Sequence, residues 1–227
     1  MIYTVTLNPA LDKTVQIPSF RLGEVNRISA MRTDPGGKGI NVSKVLRELG
    51  EPSVAAAILG GAAGQKIESA LRALGIEGMY LFTGHETRTN LKIVDPTLHT
   101  NTDVNEPGAP ADEAVLSKLL TQLTDRLRPG DLVVLSGKAP AGAPDTLVLL
   151  PEDCDSQAKR ISQTLFSTLG FPLPVIVCDT HGRALRSGTA GVAVGAWGLE
   201  PIRSYRGCAD CDGRPLMSTQ EAVADEL

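Results

Sequence analysis

Gly36-Gly37-Lys38-Gly39, followed by Asn41, gathers most of the chemistry-bearing residue types of this chain in one short stretch. Glycines let a backbone approach a ligand closely. If a helix follows them, its first N–H groups point at whatever anion or hydroxyl lies there. Lys38 adds a positive charge, and Asn41 adds an amide that both donates and accepts. The stretch suits a small, polar, anionic ligand. Two better-known glycine loops are excluded. A P-loop needs Ser or Thr directly after its lysine, but Gly39 follows Lys38. A G-x-G-x-x-G fingerprint starts at Gly37 and Gly39 and then meets Val42 in place of its last glycine.

These residues need elements to position them. Val42, Val45, Leu46 and Leu49 recur at helical spacing after the glycines, with Gly50 as a C-cap. Residues 2–7 read as a strand ending at the Asn8-Pro9 break, which places Asp12 just beyond a strand's carboxyl end. Val54–Leu59 reads as a second strand, leading through Gly60-Gly61 into a helix that ends at Leu74. Arg88–Val94 and Leu98–Thr102 read as paired strands, and Ala111–Leu127 as an amphipathic helix stopped by Pro129-Gly130. The short apolar runs Leu132–Leu135 and Val175–Val177 read as buried parallel strands. Strand–helix alternation implies βαβ units and a mostly parallel, doubly wound sheet. Ligands of such sheets bind outside the carboxyl ends of the strands. Alternation at Val15 and Ile17 and over residues 25–30 predicts further strands outside that sheet.

Bulk properties bound the function. The 227 residues suffice for one domain with a full core, with 42% hydrophobic and 21% charged residues. A net charge of −4 offers no broad basic face for nucleic acid. No apolar run approaches the roughly 18 residues of a membrane span, and no secretory signal opens the chain. Four cysteines are too few for a disulfide scaffold at this length, so a reduced, cytoplasmic protein is expected. The close pair Cys208 and Cys211 falls short of the four ligands a structural zinc takes.

Asn8-Pro9-Ala10-Leu11-Asp12, together with Gly36-Gly37-Lys38-Gly39-Ile40-Asn41-Val42, resembles the phosphofructokinase B family of carbohydrate kinases. The lysine in the glycine turn is most similar to the 1-phosphofructokinase and tagatose-6-phosphate kinase branch. The resemblance is close to about residue 137 and patchy beyond. It implies a ribokinase-like fold in one incomplete domain over residues 1–227. It also implies a small β lid from segments near 13–33 and 88–102, shared at a homodimer interface.

The resemblance further implies that Asp12 and Asn41 hydrogen-bond sugar hydroxyls. Gly37 and Lys38 line the same pocket, and Arg88 grips the phosphate of a sugar phosphate, with Arg27 as a second candidate. Glu106 either holds magnesium or water near the phosphates or serves as a turn residue. Ser136 matches a family serine–glycine turn; after Gly137, Lys138 either replaces a hydroxyl contact to phosphate or blocks the pocket. Asp179, in Asp179-Thr180-His181-Gly182-Arg183-Ala184-Leu185, resembles the family's strand-end aspartate.

The family uses ATP and magnesium, but its magnesium-supporting N-x-x-E does not occur after Leu185. The glycine–alanine–glycine–aspartate motif, which carries the base and the anion hole, is also missing. Family-like sequence returns at Gly213-Arg214-Pro215-Leu216, and Ser218–Glu221 reads as a capping box opening a helix. Residues 147–174 depart from the family and suggest a disturbed reading frame or a degraded gene. The expectation is a sugar-phosphate kinase by descent, for fructose 1-phosphate or tagatose 6-phosphate, truncated at its catalytic end and without turnover. Residues 186–227 are expected to pack poorly. The alternatives are a non-catalytic sugar-phosphate-binding protein or an unstable fragment.

Overall fold

The computed structural model describes residues 1–110, 112–136, 152–182 and 189–226. These fall into two compact units, Met1–Thr146 and Leu147–Leu227, where one domain was expected.

The first unit is built on a parallel sheet of four strands: β1 (Ile2–Thr6), β4 (Ser53–Gly60), β5 (Glu77–Thr83) and β8 (Leu132–Ser136), in the order β5-β4-β1-β8. Every residue of β4 is buried, as its continuous apolar run requires of a central strand covered on both faces. Ala55, Ala57 and Leu59 meet Ile40 of α1 (Lys38–Glu48) and Ile67 and Leu71 of α2 (Gly61–Ala73) in one apolar cluster. Alternation turns Tyr3, Val5, Val54 and Ala56 to the opposite face. There the Tyr3 hydroxyl reaches the Arg126 carbonyl, at 3.5 Å, in α3 (Glu113–Arg126). The doubly wound arrangement expected from the sequence is therefore present. The sequence pattern missed β5, because Glu77-Gly78 opens it without an apolar signal.

The lid is a second four-stranded sheet, with β2 (Ala10–Gln16), β3 (Ala30–Gly36), β6 (Thr89–Asp95) and β7 (Thr100–Asn105) in the order β3-β2-β6-β7. The β2 and β6 strands run parallel, and the outer pairs are antiparallel. Leu11, Val15, Leu91 and Ile93 share one face and Asp12, Thr14, Asn90 and Lys92 the other, so the lid has an apolar side and a polar side. Two sequence readings are corrected here. Asp12 is the third residue of a lid strand rather than part of a turn beyond β1. Residues 25–29 form a loop rather than a strand, closed by the Asn26 amide, which bonds the backbone of Arg21 and Glu24.

The second unit packs α4 (Cys154–Leu169) on an antiparallel pair, β9 (Val175–Gly182) and β10 (Thr189–Trp197). The Val175–Val177 run is thus half-buried in a two-stranded ribbon and is not a strand of the parallel sheet. Asp153 caps α4 by accepting the Ser156 N–H at 2.9 Å, and Gly170 closes the helix in the left-handed conformation, with φ 76°. A bulge in β10 between Ala193 and Gly195 frees backbone groups for side chains. The Ala193 N–H goes to Asp225 and the Ala196 N–H to Asp155, both at 2.7 Å.

The helix expected after Ser218 is not formed at that point. Gln220–Glu221 is a short strand, β12, paired with β11 (Arg203–Ser204), and α5 (Val223–Glu226) is a single turn. The Tyr205 hydroxyl holds this pair by donating to Glu221 at 2.6 Å. Residues 189–226 are therefore joined by strand pairing and side-chain hydrogen bonds, in place of the loose packing expected.

Candidate functional site

The carboxyl ends of β1, β4 and β5 lie together, and the loop from His85 to Arg88 leads from them into the lid. Glu86 sits over the first turn of α2, where its carboxylate accepts the N–H groups of Ala62 and Ala63 at 3.2 and 2.6 Å. Thr87 is buried, and its hydroxyl accepts the Gly60 N–H at 2.8 Å. These contacts fix the backbone from which Arg88 projects.

Arg88 is half-buried and anchored through one nitrogen. Its Nη1 donates to Asn90 Oδ1 at 2.9 Å and to the Glu106 carbonyl at 3.1 Å. Its Nη2 has only a long contact to the Asn8 carbonyl, at 3.5 Å, and the buried Nε has no partner. The Nε/Nη2 edge is the side-on edge that binds a phosphate or carboxylate bidentately. Beside Arg88 and Asn8 lies a cavity of about 40 Å³, space for a water-sized group.

Asn90 continues the chain of contacts, donating from Nδ2 to Asp12 Oδ1 at 2.8 Å. The Asp12 carboxylate lies against Gly36, where a Cβ would overlap it. Gly37 has φ 122°, a backbone that favours glycine, and is the N-cap of α1 without a side-chain cap of its own. The structure thus links Arg88, Asn90, Asp12 and the glycine turn in sequence. Lys38 and Asn41 are exposed on the first turn of α1, next to Gly37.

The other candidates fall out differently. Glu106 joins the cluster, but its carboxylate accepts the Thr89 N–H at 2.8 Å. Arg27 is exposed in the loop before β3, without a printed partner in the cluster. Ser136 ends β8 in register with Thr6 of β1. Lys138 and Gly137 lie outside the described residues. Asp179 stands within β9 of the second unit, opposite Val192. Among the described residues no group of three His, Cys, Asp or Glu side chains is placed to hold a metal ion, so magnesium and its ATP find no matching donor set. No helix of the described residues is long and apolar enough to cross a membrane.

Sequence reasoning passed over Asn90, although Thr87-Arg88-Thr89-Asn90 puts it two residues from Arg88, on the same side of a strand. A groove of about 500 Å³ lies on the other face of β2, between β3 and α2, lined by Leu11, Thr33, Pro35 and Lys66 among others. It faces away from Asp12 and does not include the linked residues.

Comparison with known proteins divides the chain as the structure does. It is 39% identical over 171 residues to a 1-phosphofructokinase of Xanthomonas campestris, covering 75% of this chain and 53% of that protein. It is 35% identical over 142 residues to a tagatose-6-phosphate kinase of Staphylococcus epidermidis, covering 63% and 45%. The structure of phosphofructokinase-2 from Escherichia coli in complex with fructose-6-phosphate superposes with a TM-score of 0.59 at 27% identity, covering 74% of this chain and 51% of that one. The chain spans about half the length of the curated relatives it matches.

A family model for F420-0:gamma-glutamyl ligase matches residues 111–227. That match overturns the reading of residues 147–227 as kinase sequence disturbed by a frame change. The stretches around Asp179 and Gly213, read as kinase motifs, lie inside it; residues 183–188 of the former are outside the described residues. The chain therefore belongs to the phosphofructokinase B family of ribokinase-like carbohydrate kinases through its first unit, and to the F420-0:gamma-glutamyl ligase family through residues 111–227.

Proposed function

We propose that the first unit binds a hexose phosphate between the polar face of the lid and the glycine turn, and that the chain does not transfer phosphate. The observation that carries this reading is the contact chain Arg88–Asn90–Asp12–Gly36, which ends at the free N-terminus of α1. Arg88 takes the phosphate of the sugar on its unpaired edge. Asp12 and Asn41 accept from and donate to the hydroxyls, and Lys38 balances the charge.

Phosphoryl transfer needs an acceptor hydroxyl relieved of its proton and a nucleotide held in line. The sequence lacks the family's glycine–alanine–glycine–aspartate motif and its N-x-x-E. Asp12 is engaged by Asn90, and Glu106 by Thr89. General-base catalysis typically contributes about 10²–10⁴-fold, and an anion hole often more. Without both, turnover falls below ordinary assay limits. The exposed Leu22, Val25, Ile28 and Met31 of the lid region support a homodimer formed through it.

The test is ligand-dependent thermal stabilisation of the purified chain by fructose 1-phosphate, fructose 6-phosphate and tagatose 6-phosphate, beside a coupled ATP assay. At least one sugar phosphate should raise the unfolding midpoint. Arg88→Ala should weaken that binding by about 1.5–3 kcal/mol, the cost of a charge-assisted contact. Robust ATP-dependent phosphorylation would overturn the reading.

A second reading concerns residues 111–227 alone, and the ligase family match favours it. They take part in adding a γ-glutamyl group to F420-0 or a similar acceptor. Incubation with F420-0, glutamate and nucleoside triphosphates should then yield a product heavier by one glutamyl residue by mass spectrometry. An unchanged acceptor would count against it.

A further inference from the structure

We infer that Thr6 is a positioning residue for the sugar-phosphate site, capping α1 from the neighbouring strand and shaping the glycine turn with its methyl group. The inference rests on the hexose-phosphate reading of that site.

A helix begins with backbone N–H groups that have no partner within the helix. An N-cap side chain ordinarily takes one of them. The N-cap of α1 is Gly37, which has no side chain, so the cap must come from elsewhere. Thr6, the last residue of β1, supplies it: its buried hydroxyl accepts the Ile40 N–H at 3.0 Å. Ile40 is the third residue of the helix, and its own side chain is fully buried in the core. The first helical bond, from the Asn41 N–H to the Gly37 carbonyl, measures 2.8 Å. The Thr6 bond therefore removes the innermost free donor. The N–H groups of Lys38 and Gly39 keep no partner among the described residues.

The methyl of the same side chain has a second effect. A Cβ at Gly37 would stand 2.6 Å from Thr6 Cγ2, a distance real Cβ atoms essentially never show. Thr6 thus closes the space beneath the turn and holds the backbone of residue 37 towards the lid side. Both functional halves of a threonine are in use, the hydroxyl against the helix and the methyl against the turn. Neither valine nor serine does both.

A second set of hydroxyls, further along the helix, provides an internal control. Thr4 Oγ1 lies 2.7 Å from Ser43 Oγ, which also accepts from Ser53 Oγ at 3.0 Å, all of it buried. This seam fastens the middle of α1 to β1 and β4 without touching its free N–H groups. Loss of Thr4 should cost stability alone, whereas loss of the Thr6 hydroxyl should also alter the ligand-facing turn.

The experiment compares Thr6→Val, Thr6→Ser and Thr4→Val in the full chain. It measures the Kd for fructose 1-phosphate by calorimetry, the unfolding midpoint, and amide hydrogen exchange at Ile40. Thr6→Val should lose protection at Ile40 and bind about 3- to 10-fold more weakly, the range of one ordinary hydrogen bond. Thr6→Ser keeps the hydroxyl and should restore most of both. Thr4→Val should lower the midpoint and leave Kd unchanged. Equal Kd for Thr6→Val and the unsubstituted chain, with only the midpoint lowered, would overturn the inference. If the unsubstituted chain binds none of the sugar phosphates, the hexose-phosphate reading fails. Thr6 is then judged by Ile40 exchange alone, and unchanged protection in Thr6→Val overturns the capping role.

Discussion

In the first unit β4 is buried along its whole length, between α1 and α2 on one face and the side of α3 on the other. In the second unit the equally apolar start of β9 is only half-buried, and its sheet has two strands. Both runs read alike in sequence, as short continuous stretches of Val, Ile, Leu and Ala. What separates them is the number of layers available to cover them. A strand pair with one helix buries one face, and an isolated two-stranded ribbon is marginal in water. Accordingly Ile161, Phe166, Trp197, Ile202 and Met217 stay exposed in the second unit, while Ile40, Ile67 and Leu71 of the first are fully buried. An apolar run specifies that a strand wants burial; only the rest of the fold decides whether it receives it.

The largest expected effect tests that contrast directly. Ile67→Ala, at a fully buried site, should cost about 2–5 kcal/mol by denaturant unfolding. Phe166→Ala, at a side chain 51% exposed, should cost no more than about 0.5 kcal/mol. Comparable losses at the two sites would break the comparison, because they would mean that Phe166 is covered in solution by something absent from this chain.

A smaller effect should come from the lid, where a polar group replaces the apolar core as the organiser. Asp95 is 2% exposed, and burial by itself would raise its pKa. The N–H groups of Leu98, Ser19, Thr97 and Phe20 outweigh burial and hold the carboxyl below its ordinary value. A depressed folded-state pKa gives stability that is present above the unfolded-state value, near 3.9 for an aspartate. That stability is lost as pH falls through the folded value. Unfolding midpoints measured between neutral pH and pH 3 should fall less steeply in Asp95→Asn than in the unsubstituted chain. Parallel curves would show that the four donors do not favour the charged form.

The smallest effect concerns an unpaired group. The Tyr80 hydroxyl is buried without a partner, and burial, assisted by the Glu68 charge, pushes its pKa to about 12. The raised value means that stability is lost as pH rises from about 10 through about 12. Tyr80→Phe should be neutral or slightly stabilising at pH 7, because it removes a desolvated hydroxyl that bonds nothing. It should also flatten the alkaline limb of the stability curve. A loss of more than about 1 kcal/mol at pH 7 would reveal a partner such as an ordered water.

Much of the first unit was legible because its signals are local. The glycine turn, the apolar periodicity after it and the fully apolar β4 each carry their own instruction. β5 was hidden because a strand that begins Glu77-Gly78 relies on its neighbour β4 for definition. The placement of Asp12 depended on pairing with β6, whose partner residues lie about 80 positions away. In the second unit the strand–helix alternation was seen, but alternation does not reveal whether neighbouring strands run parallel or antiparallel. Nor could it show that residues 111–227 follow a different family pattern, since both patterns obey the same rules of burial and capping.

The helix α3 and strand β8 lie within the ligase family match and yet complete the kinase-like sheet, with Ser136 beside Thr6. A helix with its own Asp112 cap and a strand that pairs with one neighbour form a portable unit. Such a unit asks of its host only an apolar face and one open strand edge. Crossing over within it leaves every earlier strand pairing intact, because each of those is made before the chain reaches the exchange. The molecule thus marks a place where two genes can be joined without either polypeptide losing the interior it had already built.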